Sequence, residues 1–405
     1  MVRDTTRAAG AGRRVGTGLV VLLPLLSVGA LVSTRADAPF VLQQVLAWPG
    51  YLWLAFLLYL VLALVVGELV RFVLGRVLGR GKVGEPGEAV VPERVPVTVP
   101  AEAGAGDSAD DGVRVGPPTE GEPDAASDEG ALSRRLFVAR SVAVGAAAVA
   151  AGTVGYGAYG VFRGPRTLHV TVPLAKLPRS AHGFRIAVVS DIHLGPILGR
   201  AHAQRVVDAV NRTNADLITI VGDLVDGTVA NLGPAAEPLR ELRARHGAFF
   251  VTGNHEYFSG AEEWVAHVRE LGVHPLENAR VEMPGFDLAG VNDIAGESEH
   301  QGPDYARALG DRDRSRASVL LAHQPVAVHD AVDYGVDLQL SGHTHGGQLW
   351  PGNYLAELAN PTVAGLERYG DTQLYVTRGA GAWGPPVRVG APSDITVVEL
   401  ASKQT

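Results

Sequence analysis

The sequence contains two long apolar stretches near its N terminus, and neither of them carries a charged residue. They cover residues 15–34 and 38–67. About 20 apolar residues in a helix cross the hydrocarbon core of a bilayer, so both stretches are long enough to span it. Arginines precede the first stretch and a basic cluster follows the second, whereas Arg35 is the only basic residue in the connection between them. Because basic flanks stay in the cytoplasm, residues 1–82 are predicted to form a transmembrane hairpin.

Within this hairpin, we expect the spans at about residues 15–34 and 45–67, with both ends in the cytoplasm. Trp48 and Tyr51 near the start of the second span fit the aromatic belt of a membrane interface. An alternative is that the first stretch is a secretory signal peptide and the second is a buried helix. On the hairpin interpretation, the membrane is the first partner of this chain.

The segment after the hairpin, residues 83–132, has a very different composition. It contains twelve acidic residues against Arg94 and Arg114, together with many Pro, Gly and Ala residues. Such a segment cannot bury enough apolar surface to offset the entropy cost of ordering, so we expect a disordered, acidic cytoplasmic linker. Its net charge is −10 and that of the whole chain is −8, which leaves +2 elsewhere. No basic surface for nucleic acid is therefore expected.

A third apolar segment follows at residues 133–164. Arg134 and Arg135 precede an uncharged stretch rich in Ala and Gly, at residues 141–162. This stretch predicts a third transmembrane helix. The paired arginines also resemble a twin-arginine export signal, although such signals normally stand at the N terminus. Either interpretation places the chain after Gly164 outside the cytoplasm.

From about residue 165 the composition becomes that of an α/β domain, which we expect to occupy residues 165–405. Short apolar runs that predict buried strands alternate with amphipathic stretches that predict helices. This alternation favours a layered α/β fold with its functional site at the carboxyl ends of the strands. The strands are predicted at residues 184–190, 216–221, 248–252, 318–322 and 337–340, and the helices at 201–214, 261–271 and 325–332.

Polar residues of the metal-binding type follow five of these strands. Residues two apart on an extended segment point to the same side, so Asp191 and His193 are expected to face one ion. Each motif alone is weak evidence, because a Gly-Asp pair after a strand is usually a turn. The chain has no cysteine, so any metal site must use nitrogen and oxygen ligands. In chain order the residues are Asp191 and His193, Asp223, Asn254 and His255, His323, and His343 with His345.

The order Asp-x-His, Gly-Asp, Gly-Asn-His-Glu, His and Gly-His-x-His resembles that of the calcineurin-like metallophosphoesterase family. Residues 182–194, 342–348 and 375–379 resemble its bacterial membrane-associated phosphohydrolase branch. The resemblance covers roughly residues 168–400. It implies a four-layer αββα sandwich with a binuclear metal site at one end of the sheets, here preceded by N-terminal transmembrane helices.

The resemblance also implies roles for individual residues. The two ions, Mn, Fe or Zn, would activate a bridging hydroxide that attacks the phosphorus atom in line. By the same resemblance, His255 donates a proton to the leaving oxygen and Asp226 orients that histidine. Arg378 is a candidate for binding the phosphate, and a surface ion pair is its alternative role. The implied ligands are Asp191, His193 and His345 for the first metal, Asn254, His323 and His343 for the second, and Asp223 as the bridge.

Together these features predict a metal-dependent hydrolase of phosphodiester or pyrophosphate bonds in a membrane- or envelope-linked substrate. The predicted location is the cell membrane, with several spans and an extracytoplasmic catalytic domain. One alternative is a protein or nucleotide phosphomonoesterase with the same site, and another is a non-catalytic, metal-binding membrane sensor. Several aromatic residues lie near the motifs and could line a groove for an acyl chain or belong to the core: Tyr257, Phe258, Trp264, Trp350, Tyr354 and Trp383.

Overall fold

The computed structural model describes residues 10–36, 38–79 and 125–403 of the chain. Three long helices come first: α1 (Ala11–Arg35), α2 (Phe40–Gly79) and α3 (Ala125–Phe162). Each contains a stretch that is long and apolar enough to cross a membrane, at Ala11–Thr34, Phe40–Val73 and Ala139–Phe162. The prediction of N-terminal apolar helices before an α/β fold is confirmed.

The predicted linker differs from the structure at its C-terminal end. Residues 83–124 lie outside the described residues, but residues 125–132 belong to α3. This part contains Ala, Glu and Leu, which have high intrinsic helix propensity. Composition alone missed this extension because it measures the capacity to form a core and not the local helix propensity.

The three long helices pack against one another through small residues and one aromatic pair. A Cβ atom at Gly50 of α2 would lie 2.6 Å from the backbone oxygen of Leu26 in α1, so the close approach of the two helices requires glycine there. The hydroxyl of Ser27 donates to the backbone oxygen of Gly50 at 2.8 Å. Trp48 of α2 stacks on Phe162 of α3 with ring centroids 5.7 Å apart. The connection between α1 and α2 therefore lies at the same end as the C terminus of α3.

The remainder of the described chain forms two six-stranded sheets flanked by helices. The first sheet has the order β1-β12-β2-β3-β4-β5 and the second has the order β10-β11-β9-β8-β7-β6. The strands are β1 (Arg166–Leu174), β2 (Phe184–Val189), β3 (Leu217–Val221), β4 (Ala248–Val251), β5 (His274–Pro275), β6 (Ala279–Met283), β7 (Phe286–Gly290), β8 (Ala317–Leu321), β9 (Leu338–Ser341), β10 (Gly365–Tyr369), β11 (Thr372–Val376) and β12 (Asp394–Ser402). The helices are α4 (Arg200–Arg212), α5 (Val229–Ala236), α6 (Asn254–Ser259), α7 (Ala261–Glu270), α8 (Tyr305–Leu309), α9 (Val328–Asp333) and α10 (Gly352–Ala359).

The alternation of side chains along each strand explains the layers. In β2, Ile186 and Val188 pack into the core shared by the two sheets, whereas Ala187 and Val189 pack against α4, α5 and α7. In the second sheet, Leu320 of β8 faces away from the shared core and packs against α8 and α9. The result is helices, sheet, sheet, helices, which confirms the predicted four-layer αββα sandwich.

The register of the parallel strands brings their carboxyl ends to one edge. Val189 of β2 is level with Ile220 of β3, which is level with Phe250 of β4. In the second sheet, Leu321 of β8 is level with Leu340 of β9. The loops after these five strands therefore emerge side by side, and they carry the polar residues that the sequence singled out.

Candidate metal centre

The loops after β2, β3, β4, β8 and β9 bring all seven predicted ligands to one end of the two sheets. Asp191 and His193 follow β2, and Asp223 follows β3. Asn254 begins α6 after β4, and the last three ligands follow β8 and β9. Five of the seven are buried, and the other two, Asn254 and His343, are half-buried. The last three are His323, His343 and His345.

Five of the seven residues have a left-handed backbone, with φ between 49° and 72°. The expected extended alternation at Asp191 and His193 is wrong, since both adopt this conformation and still face the same site. Left-handed backbone costs a non-glycine residue about 1–3 kcal/mol and is concentrated at functional sites. The fold therefore maintains locally unfavourable backbone in order to aim these side chains. The five are Asp191, His193, Asp223, His343 and His345.

The ligand atoms fall into two groups whose members lie within 4.8 Å of one another. The first group is Asp191, His193 and His345, and the second is Asp223, His323 and His343. In the first group, Nε2 of His193 lies 3.0 Å from Nε2 of His345 and 3.9 Å from Oδ1 of Asp191. The first group has the members that the resemblance implied for the first metal, whereas the second contains Asp223 together with His323 and His343. A third group, which shares His193, consists of His193, Asp226 and His255.

The carboxylate of Asp223 lies between the two groups. Its Oδ2 is 3.1 Å from Nε2 of His323 and 3.7 Å from Nε2 of His193. Its other oxygen accepts a hydrogen bond from the backbone N–H of His255 at 2.9 Å. Asn254 is adjacent, with Oδ1 3.0 Å from Nδ1 of His343. Asp223 is thus the residue that faces histidines of both groups.

A further carboxylate, Asp226, joins two histidines. Its Oδ1 lies 2.9 Å from Nδ1 of His193 and 2.7 Å from Nδ1 of His255. Burial raises the pKa of Asp226, but the charges and hydrogen bonds of the two histidines outweigh burial and hold that pKa below its usual range. Burial lowers the pKa of His255, whereas Asp226 and Asp223 outweigh it and raise that pKa to about 9. The hydrogen bonds fix both rings with Nδ1 toward Asp226.

Glycines allow the ligand loops to approach one another closely. A Cβ atom on Gly253 would collide with Oδ1 of Asp223, and one on Gly342 would collide with the side chains of Ser190 and Asp191. The glycines that precede Asn254 and His343 therefore leave out a side chain where two loops meet. The neighbouring loops leave no space for a side chain at these two positions.

A cavity of about 880 Å³ opens onto these residues. Phe258 and Trp383 lie in its wall on two sides of His255, with ring centroids 5.6 and 5.7 Å from that histidine. Trp264 is instead fully buried in the core and donates to the backbone oxygen of Gly227. Arg378 does not line the cavity, and its guanidinium lies 3.5 Å from Asp394. The structure therefore favours the alternative ion-pair role for Arg378.

Comparison with known proteins identifies the domain. The sequence model of the calcineurin-like phosphoesterase family matches residues 184–347. An uncharacterized metallophosphoesterase of Helicobacter pylori (strain J99) is 37% identical over 256 residues, which are 62% of this chain and 68% of that protein. The uncharacterized metallophosphoesterase YkuE of Bacillus subtilis is 31% identical and is matched over 98% of its length, with 67% of this chain. This chain belongs to the calcineurin-like phosphoesterase family.

Other relatives of this metallophosphoesterase are named as membrane proteins. A Danio rerio "transmembrane protein with metallophosphoesterase domain" is 40% identical over 60% of this chain, and the match spans 59% of that protein. Among solved structures, a dimetal phosphatase from Danio rerio is 13% identical over 54% of this chain and 93% of its own length, with a TM-score of 0.37. The three apolar helices together with the transmembrane relatives support membrane association of this chain.

The family uses divalent metals, and the residues of this metallophosphoesterase fit such ions. His323 donates from Nδ1 to the backbone oxygen of Val221 at 2.8 Å, so its buried Nε2 is the ring nitrogen that faces the site. That atom has no hydrogen bond, although a carboxylate oxygen of Asp223 is 3.1 Å away. A buried imidazole nitrogen and a carboxylate oxygen at this distance favour a positive charge between them, which a divalent cation can supply.

The electrostatics of the histidines agree with this fit. Burial lowers the pKa of His343 to about 4, and burial together with the charge of Arg388 lowers the pKa of His345 well below its usual value. Both rings are therefore neutral at physiological pH, which is the form that binds metal. Burial also lowers the pKa of His323, but Asp223 and Asp191 outweigh burial and raise it. The carboxylates near His323 thus stabilise a positive charge in the second group.

Two supporting residues were not assigned a role from the sequence. Glu256 is fully buried and accepts from the backbone N–H groups of Gly253, Asp223 and Leu224 at 2.6, 2.9 and 2.8 Å. Its carboxylate therefore ties the loop after β3 to the loop after β4. Its place in the Gly-Asn-His-Glu motif is a signal that could have revealed it, since a glutamate at the third position of a helix often caps the helix N terminus.

Arg388 is the second supporting residue, and it lies in no motif that the sequence analysis used. It is buried, and its Nη2 lies 2.9 Å from Nδ1 of His345. It also donates to the backbone oxygens of His345, Arg378 and Gly381. The contact with Nδ1 thus fixes the orientation of the His345 ring. The bonds to the backbone oxygens connect the loop after β9 to the segment after β11.

We predict that Glu256→Gln weakens metal binding and stability together. The amide has one acceptor oxygen where the carboxylate has two, so at least one of the three backbone N–H groups loses its partner, at a cost of about 1–3 kcal/mol. Metal affinity from competition with a chelator should fall, and the thermal unfolding midpoint should drop. The exposed Glu262 of α7 provides the control, because Glu262→Gln should alter neither quantity. An unchanged metal affinity in Glu256→Gln would contradict the role given to this carboxylate.

Proposed function

We propose that this chain is a two-metal phosphoesterase that hydrolyses phosphodiester or pyrophosphate bonds in a membrane- or envelope-linked substrate. The observation that carries the proposal is the arrangement of the site within one cavity. Two groups of three ligand-type residues share the carboxylate of Asp223, and a hydrogen-bonded pair, Asp226 and His255, lies beside them. A site that only stored metal would have no use for that pair.

Bound divalent ions would supply Lewis-acid chemistry, in which water becomes a stronger nucleophile and charge on the phosphoryl oxygens is neutralised. The chain's own residues supply the rest. His255 keeps Nδ1 on Asp226, so Nε2 is the atom that can give a proton to the leaving oxygen. That nitrogen lies 4.0 Å from Oδ2 of Asp223, which places the proton donor at the edge of the ligand groups.

Asp226 has a positioning role in this proposal. Because one of its oxygens accepts from both His193 and His255, a single carboxylate fixes the tautomer of a metal ligand and of the proton donor. The side chain of Asp226 is itself held at the mouth of the site, since its backbone N–H donates to the backbone oxygen of Leu194 at 2.8 Å. Movement of Asp226 would therefore disturb both rings together.

The membrane-linked character of the substrate is supported by the wall of the cavity. Leu31 and Thr34 of α1, Ala38 of the connection, and Gln43 and Tyr51 of α2 line the same cavity as the metal-binding residues. Apolar helices that serve only as a tether would not need to approach the site. A cavity of about 880 Å³ is also larger than a phosphate group requires and is in the range that accommodates an organic ligand.

Two substitutions distinguish the proposed metal-binding role of Asp223 from the proposed proton-donor role of His255. Asp223→Asn should lower both metal content and turnover, because it removes charge from the carboxylate shared by the two groups. His255→Ala should retain the metals and lower turnover by about 10²–10⁴-fold, the usual contribution of a general acid. The measurement is hydrolysis of a chromogenic phosphodiester and of its monoester, with metal content determined on the same samples.

Equal loss of metal in the two variants would contradict these roles. A preference for the monoester would replace the proposed diester or pyrophosphate substrate with a phosphomonoester. Bound metals without turnover of either ester, followed by no turnover of envelope lipids, would favour a metal-binding sensor.

The contribution of the hairpin can be tested at Leu31. Leu31→Ser removes apolar surface from the cavity wall, and the loss of about 1.5 kcal/mol of apolar contact corresponds to roughly tenfold in affinity. The KM for a diester with a long acyl chain should therefore rise about tenfold more than the KM for a short-chain analogue. Leu25→Ser is the matched control, because Leu25 lies on the same helix with its side chain exposed and outside the cavity. An equal change for both substrates would remove the support for a membrane-linked substrate.

We also propose a multi-pass topology with the catalytic domain outside the cytoplasm. It is supported by the basic residues that flank the spans and by the contact of Trp48 with Phe162, which puts the hairpin connection and the start of the domain at one end. A periplasmic-type reporter enzyme fused after Gly164 should be active, and a cytoplasmic-type reporter at the same position should be inactive. The opposite pattern would invert the topology.

A further inference from the structure

An exposed apolar surface lies beside the membrane helices and outside the cavity. It consists of Trp350, Tyr354, Leu355 and Leu358, which we call the 350–358 face. Leu358 is 85% exposed and Leu355 is 71% exposed, although both belong to the folded helix α10. Glu357 is the only charged residue of that helix. Large apolar side chains grouped in this way on one helix usually mark a contact with a partner or a membrane.

A hydrogen bond fixes the level of this face relative to α2. The hydroxyl of Tyr59 donates to the backbone oxygen of Trp350 at 3.0 Å. Tyr59 lies 19 residues after Phe40 and 14 residues before Val73, the limits of the apolar stretch of α2. About 20 helical residues cross the hydrocarbon core, and every run of that length within the stretch includes Tyr59. Whichever 20 residues of α2 cross the hydrocarbon core, Tyr59 is therefore among them. The backbone oxygen of Trp350, which is hydrogen-bonded to Tyr59, lies at the boundary of the core or deeper.

Contacts with α3 lead independently to the same level. Val387 of the catalytic domain packs in one apolar cluster with Tyr59 of α2 and with Ala150 and Val154 of α3. Ala150 lies near the middle of the apolar stretch Ala139–Phe162. Gly157 permits this contact, because a Cβ atom there would lie 2.6 Å from Cγ1 of Val387. Two segments of the catalytic domain thus reach membrane-level residues on two different helices.

We propose that the 350–358 face is embedded in the lipid leaflet next to the catalytic domain, so that α10 is an interfacial membrane helix. Lipid is the occupant that its position indicates, since Trp350 at one end of the face is hydrogen-bonded to Tyr59 of α2 and the adjacent Leu349 packs with apolar residues of α2 and α3. Trp and Tyr at the border of the face match the residues that prefer the headgroup region, and the leucines match those that enter the acyl chains.

An embedded 350–358 face would also set the level of the cavity in the membrane, whether or not the site is catalytic. Tyr51, which lines the cavity, precedes Tyr59 by eight residues and so lies about 12 Å farther toward the hairpin connection. An embedded 350–358 face therefore places the cavity near the headgroup level of the leaflet. The catalytic domain would sit partly within the membrane surface and not at the end of a free tether.

Site-directed spin labelling tests this placement, and the absence of cysteine from the chain makes it direct. Leu358→Cys in the full chain is labelled and reconstituted in nanodiscs of phosphatidylethanolamine and phosphatidylglycerol. Collision with oxygen, which concentrates in lipid, is compared with collision with a water-soluble nickel chelate. The control is Arg314→Cys, an exposed position just before β8, at the opposite end of that strand from His323. Leu355→Cys serves as a second labelled position on the face.

The label at residue 358 is expected to collide several-fold more with oxygen than with the nickel chelate, whereas the label at residue 314 should show the reverse. A label at 358 that is as accessible to the chelate as the label at 314 would overturn the proposal. A label that is shielded from both reagents would also overturn it, because it would indicate a protein contact such as a second copy of the chain. The side chain at 358 is exposed, so the substitution itself leaves the packing intact.

Discussion

The carboxylate of Asp223 is the group on which the rest of the site depends. It lies within 4.0 Å of a ring nitrogen of His193, His255 and His323, and its loop is tied to the next by the buried carboxylate of Glu256. Placing so many buried polar groups together costs free energy unless each has a partner. The positive backbone angles and the glycines without space for a side chain are consequences of bringing these loops close enough for one carboxylate to serve both groups.

The supporting residues divide the task of orientation. Asp226 lies on the cavity side and fixes the orientation of the His193 and His255 rings. Arg388 lies on the buried side and fixes the orientation of the His345 ring. An arginine and a carboxylate are suited to these positions because each has several hydrogen-bonding atoms at fixed angles. In the proposed function, residues held in this way would need little rearrangement when an ion binds, and His255, the proposed proton donor, would keep its position relative to them.

The membrane helices and the catalytic domain form one continuous structure. α1 and α2 contribute to the wall of the cavity, and α2 and α3 contact the loops that contain Trp350 and Val387. These contacts give the site a defined position relative to the apolar helices. A phosphoester substrate that resides in the membrane could then reach the metal-binding residues without leaving the surface of the bilayer, which is the physical basis of the proposed function.

The sequence by itself determined the family, the αββα fold and the apolar helices, and it singled out the Asp and His residues that the structure brings together, because periodicity and motif order are local properties of the chain. Only the tertiary structure decided the left-handed backbone of the ligands, the supporting roles of Glu256 and Arg388, and the place of Arg378 beside Asp394. It also decided that the hairpin lines the cavity. These features depend on contacts between residues far apart in the sequence, and no local sequence pattern specifies which distant residues will be in contact.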